Sequence, residues 1–245
     1  MRVALLSDIH GNDVALRAVL ADIRRQGVDQ IVCLGDVATL GPTPQKAVEL
    51  LVELNCLCIM GNHDAFLLEP GLVSAYTQAA AVIDALNWCR EQLSRESFDW
   101  LSTFKPIAEL PLGLSSTLLL YHGSPRSNVE EILTTTPPEQ LDVLLEGRHA
   151  AVMAGGHTHL QMLRQHRGSL LLNVGSVGMP FKEYVAGGRP TILAHAEYAV
   201  VEEAGGVVSV ALYRVPLDKS ALQNSLAETS NPLREWLIQQ YASIE

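Results

Sequence analysis

Short apolar runs, each closed by a polar stretch bearing glycine or histidine, alternate with helical periodicities through the first part of the chain. Val3–Ser7 is followed by Asp8-Ile9-His10-Gly11-Asn12, after which Val14, Leu16, Val19, Leu20 and Ile23 recur at helical spacing up to Gly27. Ile31–Leu34 predicts the next strand and ends in Gly35-Asp36. A helix over Ala47–Leu54 begins after Pro42 and Pro44, and Cys56–Met60 predicts a third strand ending in Gly61-Asn62-His63-Asp64. This β-α-β-α-β order predicts a parallel sheet with helices packed on it. In such sheets ligands gather beyond the carboxyl ends of the strands, and all three polar motifs fall there.

From about Ala65 to Phe104 the pattern changes. Alanines, Trp88 and alternating charges, with Val82, Ile83, Leu86 and Leu93 on one apolar face, predict a helical insertion. It is expected to pack as scaffold or to wall the site whose motif it follows, and its apolar face is a candidate oligomer contact. Strand rhythm then resumes. Thr117–Tyr121 runs into His122-Gly123-Ser124-Pro125-Arg126, Ala150–Ala154 into Gly155-Gly156-His157-Thr158-His159, and Leu170–Asn173 into Val174-Gly175-Ser176-Val177-Gly178. A helix is expected near Pro138–Glu146, and late strands near Ala196–Glu202 and Val207–Val215 flank Gly205-Gly206 as a hairpin turn. Leu217–Ala227 and Leu233–Tyr241 predict terminal helices. There is no internal repeat, low-complexity tract or Pro/Gly/Ser linker. The expectation is one domain over residues 1–245 with the helical insertion at about 65–104.

Composition narrows the possibilities. The 245 residues are 48% apolar and 18% charged, enough for a buried core and unlike a disordered chain. No apolar run approaches the ~18 residues of a membrane span. Met1-Arg2-Val3-Ala4-Leu5-Leu6 has no signal-peptide layout, so a soluble, cytoplasmic protein is expected. Lys and Arg number 17 against 27 Asp and Glu, a formal net charge of −10. Such a surface repels phosphate backbones and argues against general nucleic-acid binding; a phosphate-bearing ligand would need a local positive centre. Cys33, Cys56, Cys58 and Cys89 lie in apolar stretches without a CxxC pair and read as small buried hydrophobes.

The polar motifs supply that centre. Each taken alone has a bland reading as a turn or a solvated loop. Together they place five of the eight histidines, with Asp8, Asp36 and Asn62, directly after apolar strands. Carboxylate, imidazole and amide oxygen without thiolate suit Mn, Fe, Co, Ni or Zn. One Asp can bridge two cations ~3.5–4 Å apart, the spacing of two-metal phosphoryl chemistry. Two divalent cations, less the charges of two Asp ligands and a bridging hydroxide, leave about +1, an attractor for phosphate inside an acidic protein.

The order Asp-x-His, Gly-Asp, Gly-Asn-His-Asp, His, Gly-His-x-His resembles that of the calcineurin-like metallophosphoesterase superfamily. The match is to its bacterial and archaeal phosphodiesterase-like branch. Ser7-Asp8-Ile9-His10-Gly11-Asn12, Gly35-Asp36 with Gly41-Pro42 and Pro44, His122–Arg126 and Asn173–Pro180 carry it, over roughly residues 1–180. Members often have an aromatic before Gly-Pro and an Arg after the last proline, where this chain has Leu40 and Phe181-Lys182. The resemblance implies a four-layer α/β/β/α sandwich of two mixed sheets, with a dinuclear site at strand carboxyl ends. It implies that Asp8, His10 and His159 hold one metal, that Asn62, His122 and His157 hold the other, and that Asp36 bridges them. His63 would be the acid at the leaving group and Asp64 would orient its ring.

Arg126 is a candidate grip on a phosphate oxygen, with loop bracing as the bland alternative. Asn12 is a candidate phosphate contact, with helix capping as its alternative. Gly175, Ser176 and Gly178 are expected to shape a tight loop under the site. The expected activity is hydrolysis of small phosphodiesters or phosphomonoesters, nucleotides among them, by attack of the bridging hydroxide, with manganese as the first choice of metal. The competing readings are a non-catalytic protein-binding scaffold on the same fold and a protein phosphatase.

Overall fold

In β1 (Arg2–Leu6), Val3 and Leu5 face one way, Ala4 and Leu6 the other, and all four are fully buried. A strand covered on both faces belongs in the interior of a layered α/β fold, because its alternating side chains need two separate apolar partners.

The computed structural model describes residues 1–113 and 116–242. After β1 come α1 (Asp13–Gln26), β2 (Gln30–Cys33), α2 (Pro44–Leu54) and β3 (Leu57–Cys58). The helical segment follows as α3 (Asn62–Leu68), a 3-10 turn at Pro70–Leu72, α4 (Val73–Tyr76), α5 (Ala80–Gln92) and α6 (Arg95–Leu101). Next are β4 (Ala108–Leu112), β5 (Ser116–Leu120), α7 (Pro138–Leu144), β6 (Val152–Gly155), β7 (Met162–His166) and β8 (Ser169–Asn173). The chain closes with β9 (His195–Ala204), β10 (Val207–Pro216), α8 (Lys219–Glu228) and α9 (Arg234–Ala242).

Two five-stranded mixed sheets result, in the orders β10-β9-β1-β2-β3 and β4-β5-β6-β8-β7. In the first, β1, β2 and β3 are parallel and the β9–β10 hairpin is antiparallel to them. In the second, β5, β6 and β8 are parallel, with β4 and β7 antiparallel at the two edges. Val3, Leu5, Val32 and Leu34 pack against Leu118, Leu120, Val152 and Leu172 between the sheets. On the outer face of the first sheet, Ala4, Leu6 and Cys33 meet Leu16, Val19 and Ile23 of α1 and Leu51 of α2. On the outer face of the second, Leu119, Met153 and Leu171 meet Leu141 and Leu144 of α7. Helix, sheet, sheet and helix are the four expected layers. No helix among the described residues is long and apolar enough to cross a membrane.

The edge strands β4 and β7 are the elements that apolar patterning does not reveal. Pro111 interrupts β4, which is tolerable at an edge where one row of backbone groups goes unpaired. Leu163-Arg164-Gln165 makes β7 too polar for an apolar run, and its pairing with β8 is what defines it. The parallel strands of both sheets end on a common rim, where the five polar motifs lie.

Candidate metal centre

Asp8, His10 and His159 present ligand atoms within 4.8 Å of one another, and so do Asp36, His122 and His157. The two groups share a wall. Asp36 Oδ2 is 3.4 Å from His122 Nε2 and 3.8 Å from His10 Nε2. Asp8 Oδ1 is 3.2 Å from His159 Nε2, 3.8 Å from His10 Nε2 and 3.9 Å from His122 Nε2. Asn62 Oδ1 lies 3.1 Å from His122 Nε2. All seven side chains predicted from the sequence as ligands thus converge, and all seven are buried.

Ring orientation shows what the centre can accept. His122 Nδ1 lies 2.7 Å from the Leu34 carbonyl and His159 Nδ1 lies 2.7 Å from the Met179 carbonyl. A carbonyl can only accept, so each Nδ1 carries a proton and each Nε2 faces inward, where a metal ion can take its lone pair. His122 Nε2 then confronts the oxygens of Asn62 and Asp36, while His159 Nε2 lies 3.0 Å from His10 Nε2 and beside Asp8. A buried ring nitrogen facing carboxylate and amide oxygens needs a cation between them, either a proton on Nε2 or a metal ion. Asp8 Oδ1 is moreover buried with no hydrogen-bond partner among the described residues. The set of carboxylate, imidazole and amide oxygen fits divalent transition metals.

Burial alone lowers the His122 pKa, but the Asp36 and Asp8 carboxylates outweigh it and raise it to about 10. Burial, followed by the charge of His122, holds His157 down to about 4. These opposite displacements within one pocket mark a site whose carboxylates demand positive charge.

Local backbone geometry explains the motifs. Asp8, His10, Asp36, His157 and His159 all have left-handed backbone conformations, with φ between 47° and 70°. Each costs on the order of 1–3 kcal/mol and persists only where surrounding structure over-determines it. Here the surroundings do so. Ser176 Oγ and the Gly178 N–H both donate to the Asp8 carbonyl, at 2.7 and 3.0 Å. The Asp8 Oδ2 carboxylate oxygen accepts the His157 N–H at 2.9 Å. Glycine is required where the loops touch: a Cβ on Gly156 would sit 2.5 Å from Asp8 Oδ2, and one on Gly61 2.0 Å from Asp36 Oδ1.

His63 stands beside the cluster, its ring 5.1 Å from that of His10, with its backbone N–H donated to Asp36 Oδ1 at 2.9 Å. Burial holds its pKa below the ordinary imidazole value, while Asp36 pulls the other way. The expectation that Asp64 orients this ring needs correction. Asp64 Oδ2 accepts the N–H groups of Asp36 and Gly61 at 2.7 and 3.0 Å, and Oδ1 accepts that of Val37 at 2.9 Å. His63 Nδ1 has no hydrogen-bond partner among the described residues. Asp64 is a clamp between the Gly35–Val37 turn and the start of α3. Burial first and the Asp36 charge second push its carboxyl up to about 7 against these donors.

Arg126 and Asn12 both have partners within the protein. Arg126 Nη1 donates to the Val143 carbonyl at 3.3 Å and Nη2 pairs with Glu130 at 3.3 Å, which braces the loop. Asn12 caps α1 by accepting the Ala15 N–H at 3.0 Å, and its amide donates to the Gly178 carbonyl at 3.3 Å.

Two supporting roles are not legible in the sequence. Thr39 Oγ1 lies 3.0 Å from His10 Nδ1 and fixes that ring. Asn173 donates to the Gly156 carbonyl and to Thr158 Oγ1, at 2.5 and 3.0 Å, and so pins the loop carrying His157 and His159. The position of Thr39 just after Asp36 was the available signal.

This fold and centre define a metallophosphoesterase-type architecture. The description of the calcineurin-like phosphoesterase superfamily domain matches residues 1–197, and the chain belongs to that superfamily. It is similar to an uncharacterised protein of Methanocaldococcus jannaschii, with 29% identity over 241 residues covering 96% of this chain and 95% of that one. A metallophosphoesterase structure from Sphaerobacter thermophilus shares 26% identity over 99% of both chains with a TM-score of 0.76. A hypothetical protein from Pyrococcus horikoshii shares the fold at a TM-score of 0.79, with 20% identity over 96% of this chain and 97% of that one.

Proposed function

We propose that this chain hydrolyses phosphodiester or phosphomonoester bonds of small substrates at a centre of two divalent metal ions, manganese first among them. The observation that carries the reading is the inward convergence of the ring nitrogens and oxygens of His10, His159 and Asp8 beside those of His122, Asn62 and Asp36. In this reading Asp8, His10 and His159 hold one ion, and Asn62, His122 and His157 hold the other. Asp36, within reach of both groups, serves each. When bound, the ions supply Lewis-acid stabilisation of the phosphoryl charge and lower the pKa of water for attack.

The chain's own contribution is positioning and proton supply. Nδ1–H donation to Leu34 and Met179 fixes two ligand rings before any substrate arrives. His63 is the group placed to protonate the leaving oxygen. A phosphoester anion arriving beside it adds to the effect of Asp36 and favours the proton on the ring. The complete ligand set argues against a non-catalytic scaffold.

The test is a manganese-supplemented panel of aryl diesters, aryl monoesters, cyclic nucleotides, dinucleoside polyphosphates and phosphopeptides. Hydrolysis of a small ester that is lost on chelation and restored by Mn²⁺ is expected. Turnover of phosphopeptides alone would reassign the chain as a protein phosphatase. Turnover of nothing at full metal occupancy would end the enzyme reading.

A further inference from the structure

Tyr76, at the end of α4, stands at the mouth of the metal centre. Its ring packs 5.3 Å from that of Phe66 and lies 6.4 Å from each of His63 and His157. In spite of these neighbours the residue is 44% exposed. Across the site Phe181 stacks on His159 at 4.2 Å. Near Tyr76, the Tyr184 hydroxyl donates to Glu131 Oε2 at 2.8 Å, joining the loop after β5 to the loop after β8. The rim is therefore aromatic, and Glu131 gives it a negative charge that would repel a long polyphosphate chain. Arg126 is held by Val143 and Glu130.

The geometry points to Tyr76 as a stacking surface for a planar ring carried by the phosphoester, a nucleobase above all, with the phosphate at the metal centre. This rests on the phosphoesterase reading and adds to it a subsite and a substrate class. A phosphate held among the histidines leaves the rest of its ester directed at the rim. Tyr76, which borders both His63 and His157 and packs on Phe66, offers a partly exposed aromatic ring there. A flat π-system covers that face fully, whereas an alkyl or open-chain sugar ester covers little of it. The competing explanation is that Tyr76 only shields Phe66 and the core beneath it. That explanation predicts a loss of stability on truncation and no discrimination between ligands.

The experiment compares adenosine 5′-monophosphate with ribose 5-phosphate as competitors of bis(p-nitrophenyl) phosphate hydrolysis by the manganese-loaded protein. Saturation-transfer NMR to the adenine protons is the second readout. Base stacking predicts an inhibition constant about tenfold lower for the nucleotide. In Tyr76→Ala, and in Tyr76→Leu if the alanine variant fails to fold, the two constants should come within about threefold. Tyr76→Phe should keep the preference and the transfer to adenine. Equal constants in the unaltered protein, or an unchanged preference in the alanine or leucine variant, would overturn the subsite. If bis(p-nitrophenyl) phosphate is turned over while the preference is absent, the subsite alone falls. If nothing is hydrolysed at full metal occupancy, the underlying reading falls, and transfer to adenine that depends on Tyr76 still decides the subsite.

Discussion

The Asp64 carboxylate accepts the backbone N–H of Asp36 at 2.7 Å, so one acid holds in place the strained turn that presents the other. With the N–H groups of Val37 and Gly61 on the same carboxylate, three buried donors depend on one side chain. Asp64→Asn would turn an NH₂ group toward at least one of them. An unsatisfied buried donor costs about 1–3 kcal/mol, and that loss of stability is expected in urea unfolding of the metal-free protein. An unchanged unfolding midpoint would show that the turn holds without the clamp.

Elemental analysis of the purified protein should find two transition-metal ions per chain, and chelation should abolish hydrolysis. The expectation follows from the two ligand groups and from the unpartnered Asp8 Oδ1. Trace metal together with EDTA-resistant activity would refute it.

Asp36→Asn should lower metal content more than His159→Ala. Asp36 Oδ2 reaches the ring nitrogens of both His122 and His10, whereas His159 belongs to the Asp8 group. Retention of both ions by the Asp36 variant, with loss from the His159 variant, would reverse the assignment.

His63→Gln should leave both ions bound and reduce the rate according to the leaving group. A positioned general acid contributes ~10²–10⁴ in rate. A nitrophenolate departs without a proton, so its ester should lose little, while an ester with a ribose alkoxide leaving group should lose most of that factor. Equal losses at full metal occupancy would remove His63 from proton transfer.

Arg126→Ala should change KM for a small phosphoester by less than about twofold. Its guanidinium is committed to Val143 and Glu130, and a largely exposed pair of this kind contributes about 0–1 kcal/mol to stability. A large rise in KM would return Arg126 to the substrate.

Much of this molecule is legible from spacing alone. The parallel strands are visible because burial on both faces makes them continuous apolar runs, and the ligands because each follows such a run directly. The edge strands β4 and β7 are obscured by Pro111 and by Arg164-Gln165, residues that an edge tolerates and a central strand does not. The role of Asp64 was misjudged for a different reason. Adjacency in the Asn62-His63-Asp64 stretch suggested a contact with the next ring, but a helix start turns the third residue back toward its own first amide, as the bond from Gly61 shows. Which atoms a carboxylate satisfies is a property of the assembled loops. For the same reason the sequence does not expose Thr39 behind His10, or Tyr76 at the rim.

Five of the seven proposed ligand positions sit in left-handed backbone, where aspartate, asparagine and histidine are tolerated far better than longer or β-branched side chains. The conformation therefore screens the chemical alphabet before any metal does. Glutamate has the same donor atoms as aspartate, and cysteine supplies an alternative soft one, yet neither enjoys that tolerance at Asp8, His10, Asp36, His157 or His159. Variation at this centre should favour exchanges among aspartate, asparagine and histidine. In this chain the shape of the turns and the choice of nitrogen and oxygen donors over sulfur point to the same residues.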